Sequence, residues 1–169
     1  MQQIHPAARF QGQLIDRSRG RPGLGAPSSK ELMEQVPAWT EFIKAATGWE
    51  RVEYGTLTLD RVQPLPLPTL GNIVCLSIEP EGLFDEYRPS YGRLMRHRGT
   101  RRFYGAMARA GDLEHIAAVS QQENPARDHR LEVYSSVRLR DTLQIDSGAE
   151  IEVAVYHRDD WVRIFGRAR

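Results

Sequence analysis

The chain has one cysteine in 169 residues, Cys75, so it forms no internal disulfide and is not a disulfide-stapled secreted scaffold. Cys75 sits in the apolar run Ile73-Val-Cys-Leu76, where a thiol reads as a small buried hydrophobe in a reducing compartment. No apolar run approaches the roughly 20 residues that a membrane-spanning helix needs. The N-terminus, Met1-Gln-Gln-Ile-His-Pro6, lacks the core of a signal peptide, and a soluble, cytoplasmic protein is expected. Neither sign of charge dominates: 23 Lys and Arg against 22 Asp and Glu leave a net +1, which neither demands nor forbids an anionic partner. The five histidines, His5, His97, His115, His129 and His157, show no metal-ligand spacing, and with one cysteine no zinc site is expected. Walker loops and nucleophile-elbow motifs are absent. Gly20-x-x-Gly23-x-Gly25 follows no strand-helix-strand context, so it is not a dinucleotide fingerprint.

What is present is a composition, 40% hydrophobic and 27% charged, suited to one globular domain spanning residues 1–169, with 1–8 and 166–169 expected to fray. Arg9–Ile15 alternates apolar and polar residues as a strand does. Asp16–Pro27 is an Arg-, Gly- and Pro-rich loop. Ser28 with Glu31 forms a capping-box signature, and Trp39, Phe42, Ile43 and Ala46 fall at helical spacing before Gly48, predicting a helix over most of 28–47, broken at Pro37. From Val52 the period becomes two, through Tyr54, Thr56, Leu57 and Leu59. Pro64, Pro66 and Pro68 then predict an extended loop, and Asn72–Ile78 a buried strand. Further strands are predicted at Arg102–Ala108, His115–Ser120, Leu131–Tyr134, Glu150–Tyr156 and Trp161–Phe165. A polar loop is expected over Gln121–Asp128, a helical turn opens at Leu139-Arg140-Asp141, and Asp146-Ser147-Gly148 reads as a tight turn. Many short strands around one main helix, without alternating strand-helix units, predict a compact β-barrel with a packed helix.

Two blocks of this chain carry a resemblance. One is Val36-Pro-Ala-Trp-Thr-Glu-Phe-Ile-Lys-Ala-Ala-Thr-Gly48 followed by Tyr54-Gly-Thr-Leu-Thr-Leu59; the other is Arg130-Leu-Glu-Val-Tyr-Ser-Ser-Val-Arg-Leu-Arg-Asp-Thr-Leu-Gln-Ile-Asp-Ser-Gly-Ala-Glu-Ile-Glu-Val-Ala154. In order and spacing they resemble the archaeal CTP-dependent riboflavin kinases, six-stranded cradle-loop β-barrels that phosphorylate riboflavin to FMN. The match covers roughly residues 36–60 and 130–156, with Arg102-Phe-Tyr-Gly-Ala-Met107 matching loosely between them.

The resemblance implies a phosphotransferase using CTP or another nucleoside triphosphate with Mg²⁺. In the family a Gly-Thr-Leu-Asn segment places oxygen ligands near the metal; here Thr56 is kept and Thr58 stands at the asparagine position, so both are the implied metal residues. The family's glycine-rich nucleotide loop corresponds to residues 16–25, with Arg17, Arg19, Gly20 and Gly23; Gly12, Gly55 and Thr56 complete the implied nucleotide set. The family motif is not reproduced there, and arginines stand where backbone amides would hold phosphate. Glu132 matches an acidic position and is the implied general base, with Tyr104, Glu132 and Arg140 beside the flavin; Arg140 equally reads as an anchor of the turn. Glu132, Thr56 and Thr58 read alternatively as ordinary strand residues.

The densest charge cluster is Arg93-Leu-Met-Arg-His-Arg-Gly-Thr-Arg-Arg102, flanked by Tyr87, Tyr91, Phe103 and Tyr104. Arginines interleaved with aromatic rings suit phosphates and bases, so the alternatives are a lapsed flavin- or nucleotide-binding barrel and a nucleic-acid-binding protein using this patch. A solvated charged face is the bland reading of the same run.

Overall fold

A computed structural model describes residues 3–15, 37–52, 57–80, 101–121 and 129–166. Expectations for the Ser28–Glu31 cap, for Arg17, Arg19, Gly20, Gly23, Gly55 and Thr56, and for residues 93–100 of the arginine cluster lie outside those residues. The strands are β1 (Ala8–Ile15), β2 (Leu57–Gln63), β3 (Ser77–Ile78), β4 (Arg102–Ala110), β5 (Leu113–Gln121), β6 (Leu131–Tyr134) and β7 (Glu150–Tyr156). The helices are α1 (Pro37–Thr47), α2 (Pro66–Leu70), α3 (Leu139–Thr142) and α4 (Arg158–Phe165).

Alternating side chains close the sheet. Strand order runs β4-β5-β6-β2-β1-β7, every neighbour antiparallel, and β7 returns to β4 through pairs from Gly105↔Tyr156 to Arg109↔Glu152. The result is the expected closed six-stranded barrel. β3 adds a short seventh strand, pairing Ser77 with Phe103 and Ile78 with Arg102 where β4 runs past the end of β7. Phe10, Leu14, Leu59, Val119, Leu131, Val133, Ile151 and Val153 are fully buried or nearly so and fill the interior, the inward half of each period-two strand. Leu70 of α2 and Leu139 of α3, with Leu143 beyond it, extend that core.

α1 packs on the outside. Its buried residues Trp39, Ile43 and Thr47 recur every fourth position, and Trp39 and Ile43 meet Phe103 and Tyr134 on the outward side of the sheet. Among the described residues this helix begins at Pro37, whose missing N–H is harmless in a first turn, and the part of the expected helix before Pro37 lies outside the described residues. Gly48 ends it at φ +78°, with its N–H bonded to the Lys44 carbonyl.

Other expectations are corrected. Pro66 and Pro68 fall within the first turn of α2, where proline N–H groups have no partner to lose, so the proline run is partly helical instead of extended. Among the described residues β2 begins at Leu57, not at Val52, which packs instead against the α1 cluster. Asn72–Ile78 is a strand only at its last two residues; Ile73 is buried but Val74 is exposed. Trp161–Phe165 is not a strand but the end of α4: Asp159 and Asp160 occupy its first turn, and Trp161 and Phe165 share a face. Ala7 and Ala8 are held to β7, the Ala7 N–H bonding the Val155 carbonyl, so the N-terminal fray does not reach residue 8. Gly166 likewise is tied to the Val162 carbonyl. No helix among the described residues is long and apolar enough to cross a membrane.

Candidate functional site on the outer face of the barrel

Cross-strand register brings the implied catalytic residue, Glu132, beside Thr58, one of the two implied metal residues. Phe103 pairs with Ser120, Ser120 with Glu132, and Glu132 with Thr58, one continuous row over β4, β5, β6 and β2. Direct partners in antiparallel strands project to the same face. Leu57, Leu59, Leu131 and Val133, the sequence neighbours of Thr58 and Glu132, point into the core, so this row faces outward. Thr58 and Glu132 come from the two separate sequence blocks, 74 residues apart, and end side by side.

Glu132 is held. The Tyr134 hydroxyl donates to its Oε2 at 2.5 Å, and Arg101 Nη1 lies 3.4 Å from the same oxygen and 3.4 Å from the Tyr134 hydroxyl. Behind them Ser120 Oγ sits 3.0 Å from the Tyr134 hydroxyl. Arg101, Ser120 and Tyr134 are all buried, while the Glu132 side chain keeps a third of its surface. A second carboxylate, Glu79, is buried just after β3, its N–H bonded to the Arg101 carbonyl at 2.8 Å.

Burial disfavours the charge on Arg101, but Glu132, then Tyr134 and Glu79, more than offset it, so the guanidinium is held above its ordinary value. Burial, followed by the Glu132 charge, pushes the Tyr134 phenol well above its usual range. It therefore stays a proton donor at any working pH. Burial pushes Glu79 up to about 6, with Arg101 pulling down and Glu132 pushing up.

Other implied residues lie apart from this row. Tyr104 pairs with Val119, which pairs with Val133, so it points into the barrel, on the opposite face of the sheet from Glu132. Gly12 is buried in β1 where an added Cβ would come within 2.9 Å of Val62 Cγ2 and 3.0 Å of Leu59 Cβ. Its missing side chain is accounted for by the close approach of β2, without reference to phosphate. The Arg140 carbonyl accepts from the Ile145 N–H at 3.0 Å, anchoring the turn after α3, while its side chain is half-buried. In the arginine cluster Arg102 is exposed, but Arg101 is an internal residue of the network and is withdrawn from any surface patch.

Sequence reasoning missed Tyr134, Ser120 and Glu79 as members of the site and read Arg101 as surface charge. Glu132 and Tyr134 stand two apart in Leu131-Glu-Val-Tyr134, which already puts them on one strand face; the contributions of Ser120, Glu79 and Arg101 depend on pairing between distant strands.

Thr58 and Glu132 together supply one hydroxyl and one carboxylate, and no cluster of three or more His, Cys, Asp or Glu suited to a metal occurs among the described residues. That donor set fits a Mg²⁺ that keeps waters and substrate phosphates in its shell, not an all-protein cage. Comparison with protein-family models and with curated proteins returns no match.

Proposed function

We propose that the chain is a nucleotide-dependent phosphotransferase of the riboflavin-kinase kind. The carrying observation is the cross-strand pairing of Thr58 with Glu132: two residues implied by separate blocks of resemblance become neighbours on one face of a six-stranded barrel. In the reaction the terminal hydroxyl oxygen of the acceptor forms a bond to the γ-phosphorus of CTP or another nucleoside triphosphate. The bond from that phosphorus to the bridging oxygen breaks, its electron pair leaving with the nucleoside diphosphate, and the hydroxyl proton passes to Glu132. Mg²⁺, when bound near Thr58, would neutralise phosphate charge. The cytoplasm, where riboflavin and nucleoside triphosphates meet, is the setting this reading implies.

Purified protein is titrated with riboflavin by flavin fluorescence, then given CTP or ATP with Mg²⁺ and assayed for FMN. FMN formation is expected. No conversion with any nucleoside triphosphate overturns the reading.

The split of Tyr104 and Glu132 onto opposite faces favours a second reading, a barrel that binds a flavin or nucleotide without turnover. Riboflavin binding with no FMN is its signature. The nucleic-acid alternative is weakened, because Arg101 is engaged inside the protein.

A further inference from the structure

The geometry points to Tyr134 as a positioning residue that fixes Oε2 of Glu132 and leaves Oε1 as the oxygen offered to a ligand hydroxyl, an inference that rests on the phosphotransferase reading of the same site. Tyr134 donates to Oε2, and Arg101 approaches that oxygen too, whereas Oε1 is not an acceptor in any hydrogen bond formed among the described residues. A carboxylate pinned through one oxygen keeps its orientation without losing its second acceptor.

The pin is itself rigid. The Tyr134 ring meets Trp39 of α1 edge-on at 5.6 Å and Phe103 of β4 at 5.3 Å. Its hydroxyl is bracketed by Ser120 from β5 and Arg101 from the segment before β4. The charged and titratable groups recorded as acting on one another here are Glu132 itself, Arg101 and Glu79 at the β3–β4 end, and Tyr134 on β6, while the Arg130–Asp60 ion pair lies one strand period further along the same face of β6 and β2. A hydroxyl held from three sides holds its acceptor more narrowly than a surface tyrosine would. α1 therefore contributes to the site through packing, since Trp39 fixes the ring whose hydroxyl fixes Glu132.

Tyr134→Phe removes the hydroxyl and keeps the ring contacts, so the fold is retained. In the riboflavin assay this variant is expected to lose about tenfold in kcat, the scale of one lost charge-assisted hydrogen bond, with the KM for riboflavin held within about twofold. Ser120→Ala, one bond further back, is expected to lose about threefold in kcat by the same scale. The second readout needs no turnover: the Tyr134 hydroxyl proton gives a downfield, slowly exchanging resonance in the wild type that disappears in Tyr134→Phe and shifts in Glu132→Gln. If the wild type forms no FMN, the phosphotransferase reading fails, and the resonance alone decides whether Tyr134 holds Glu132. If the wild type turns over and Tyr134→Phe leaves kcat unchanged, or if the resonance is untouched by Glu132→Gln, the positioning role is overturned.

Discussion

The two faces of the β4–β5–β6 sheet are built from the same strands and differ in almost everything else. The inner face carries Tyr104, Ala106, Ala108, Ala117, Val119, Leu131 and Val133, contributions to one core that strand alternation alone selects. The outer face, over the same span, carries Phe103, Gly105, Ala118, Ser120, Glu132 and Tyr134, an aromatic wedge with a charged network set into it. Both are closed to water along most of their length, the inner by the barrel and the outer by α1 and by Trp161 of α4. Closure by a barrel demands apolar side chains of suitable volume. Closure by a helix laid across one edge leaves room for polar groups at its margin, provided each finds a partner. The candidate site lies at that margin, where Glu132 keeps a third of its side chain exposed beside the buried Thr58, Arg101 and Tyr134.

If the inner face is held by packing, truncating it produces the largest loss. Leu131 is wholly buried in the barrel. Leu131→Ala is expected to cost about 3 kcal/mol, the transfer of the lost methyl and methylene groups plus the cavity they leave. Equilibrium chemical denaturation measures it, and a cost below about 1 kcal/mol would mean that the barrel collapses onto the gap and is not packed to native density. Because Leu131 turns away from Glu132, whatever FMN formation the wild type shows is retained at temperatures where the variant is folded.

The outer face breaks differently. Arg101→Leu keeps bulk but leaves Glu79 and Glu132 without their shared cation, and it is expected to cost about 2 kcal/mol, below the usual range for a fully buried pair because Glu132 is partly solvated. The loss is read in the same denaturation experiment near neutral pH, where it is greatest. It shrinks in acid, as Glu79, raised by burial to about 6, takes up its proton and no longer needs the guanidinium. A loss independent of pH would assign Arg101 to packing alone. The contrast with Leu131→Ala is the informative result, since a cavity in an apolar core has no reason to follow pH.

These faces also differ in how far the amino-acid sequence reveals them. The inner face is legible: Leu131–Tyr134 and Glu150–Tyr156 were expected at the bounds they have, because a half-buried strand writes its period into the residues. The outer face is legible only where the pairing partner is already known. Thr58 and Glu132 were singled out separately, through family resemblance, yet nothing in either block says they are neighbours; that is a property of the β2–β6 register. The sequence offers Arg101 as one of five arginines in a surface cluster, either a phosphate-binding patch or a solvated face, since a local charge run carries no sign that one member turns inward. Trp161–Phe165 was read as a strand because Trp, Val, Ile and Phe favour strands. The competing signal was Gly105, where an added Cβ would fall 2.2 Å from Trp161 Cγ. The missing side chain on β4 makes room for an indole carried by a helix, whose Nε1 then donates to the Ala106 carbonyl at 3.1 Å. Such tertiary contacts override local propensity and leave no trace in a window of ten residues.

Glu79 provides the smallest and most selective test of the contrast, because its effect is confined to pH. Burial raises its carboxyl from an ordinary 4.5 to about 6 in the folded protein. Below about pH 4.5 the group is protonated both folded and unfolded and contributes nothing to the pH dependence. Between these values the unfolded chain gives up its proton first, so the folded state loses stability as pH rises. Above about 6 that loss is complete and constant. Glu79→Gln removes the ionisation while keeping a polar side chain of similar shape, so relative to the wild type it is expected to gain on the order of 1 kcal/mol on going from pH 4 to pH 7. Thermal denaturation of both proteins across that range measures it. A difference that stays flat would place Glu79 in an environment no more costly to its charge than water, and the outer face would then owe its polar character to solvent access instead of to the charges around Arg101. A difference that rises through the window from 4.5 to 6 identifies the network as one the fold tolerates at a standing cost, which is what a face retained for chemistry, and not for packing, would carry.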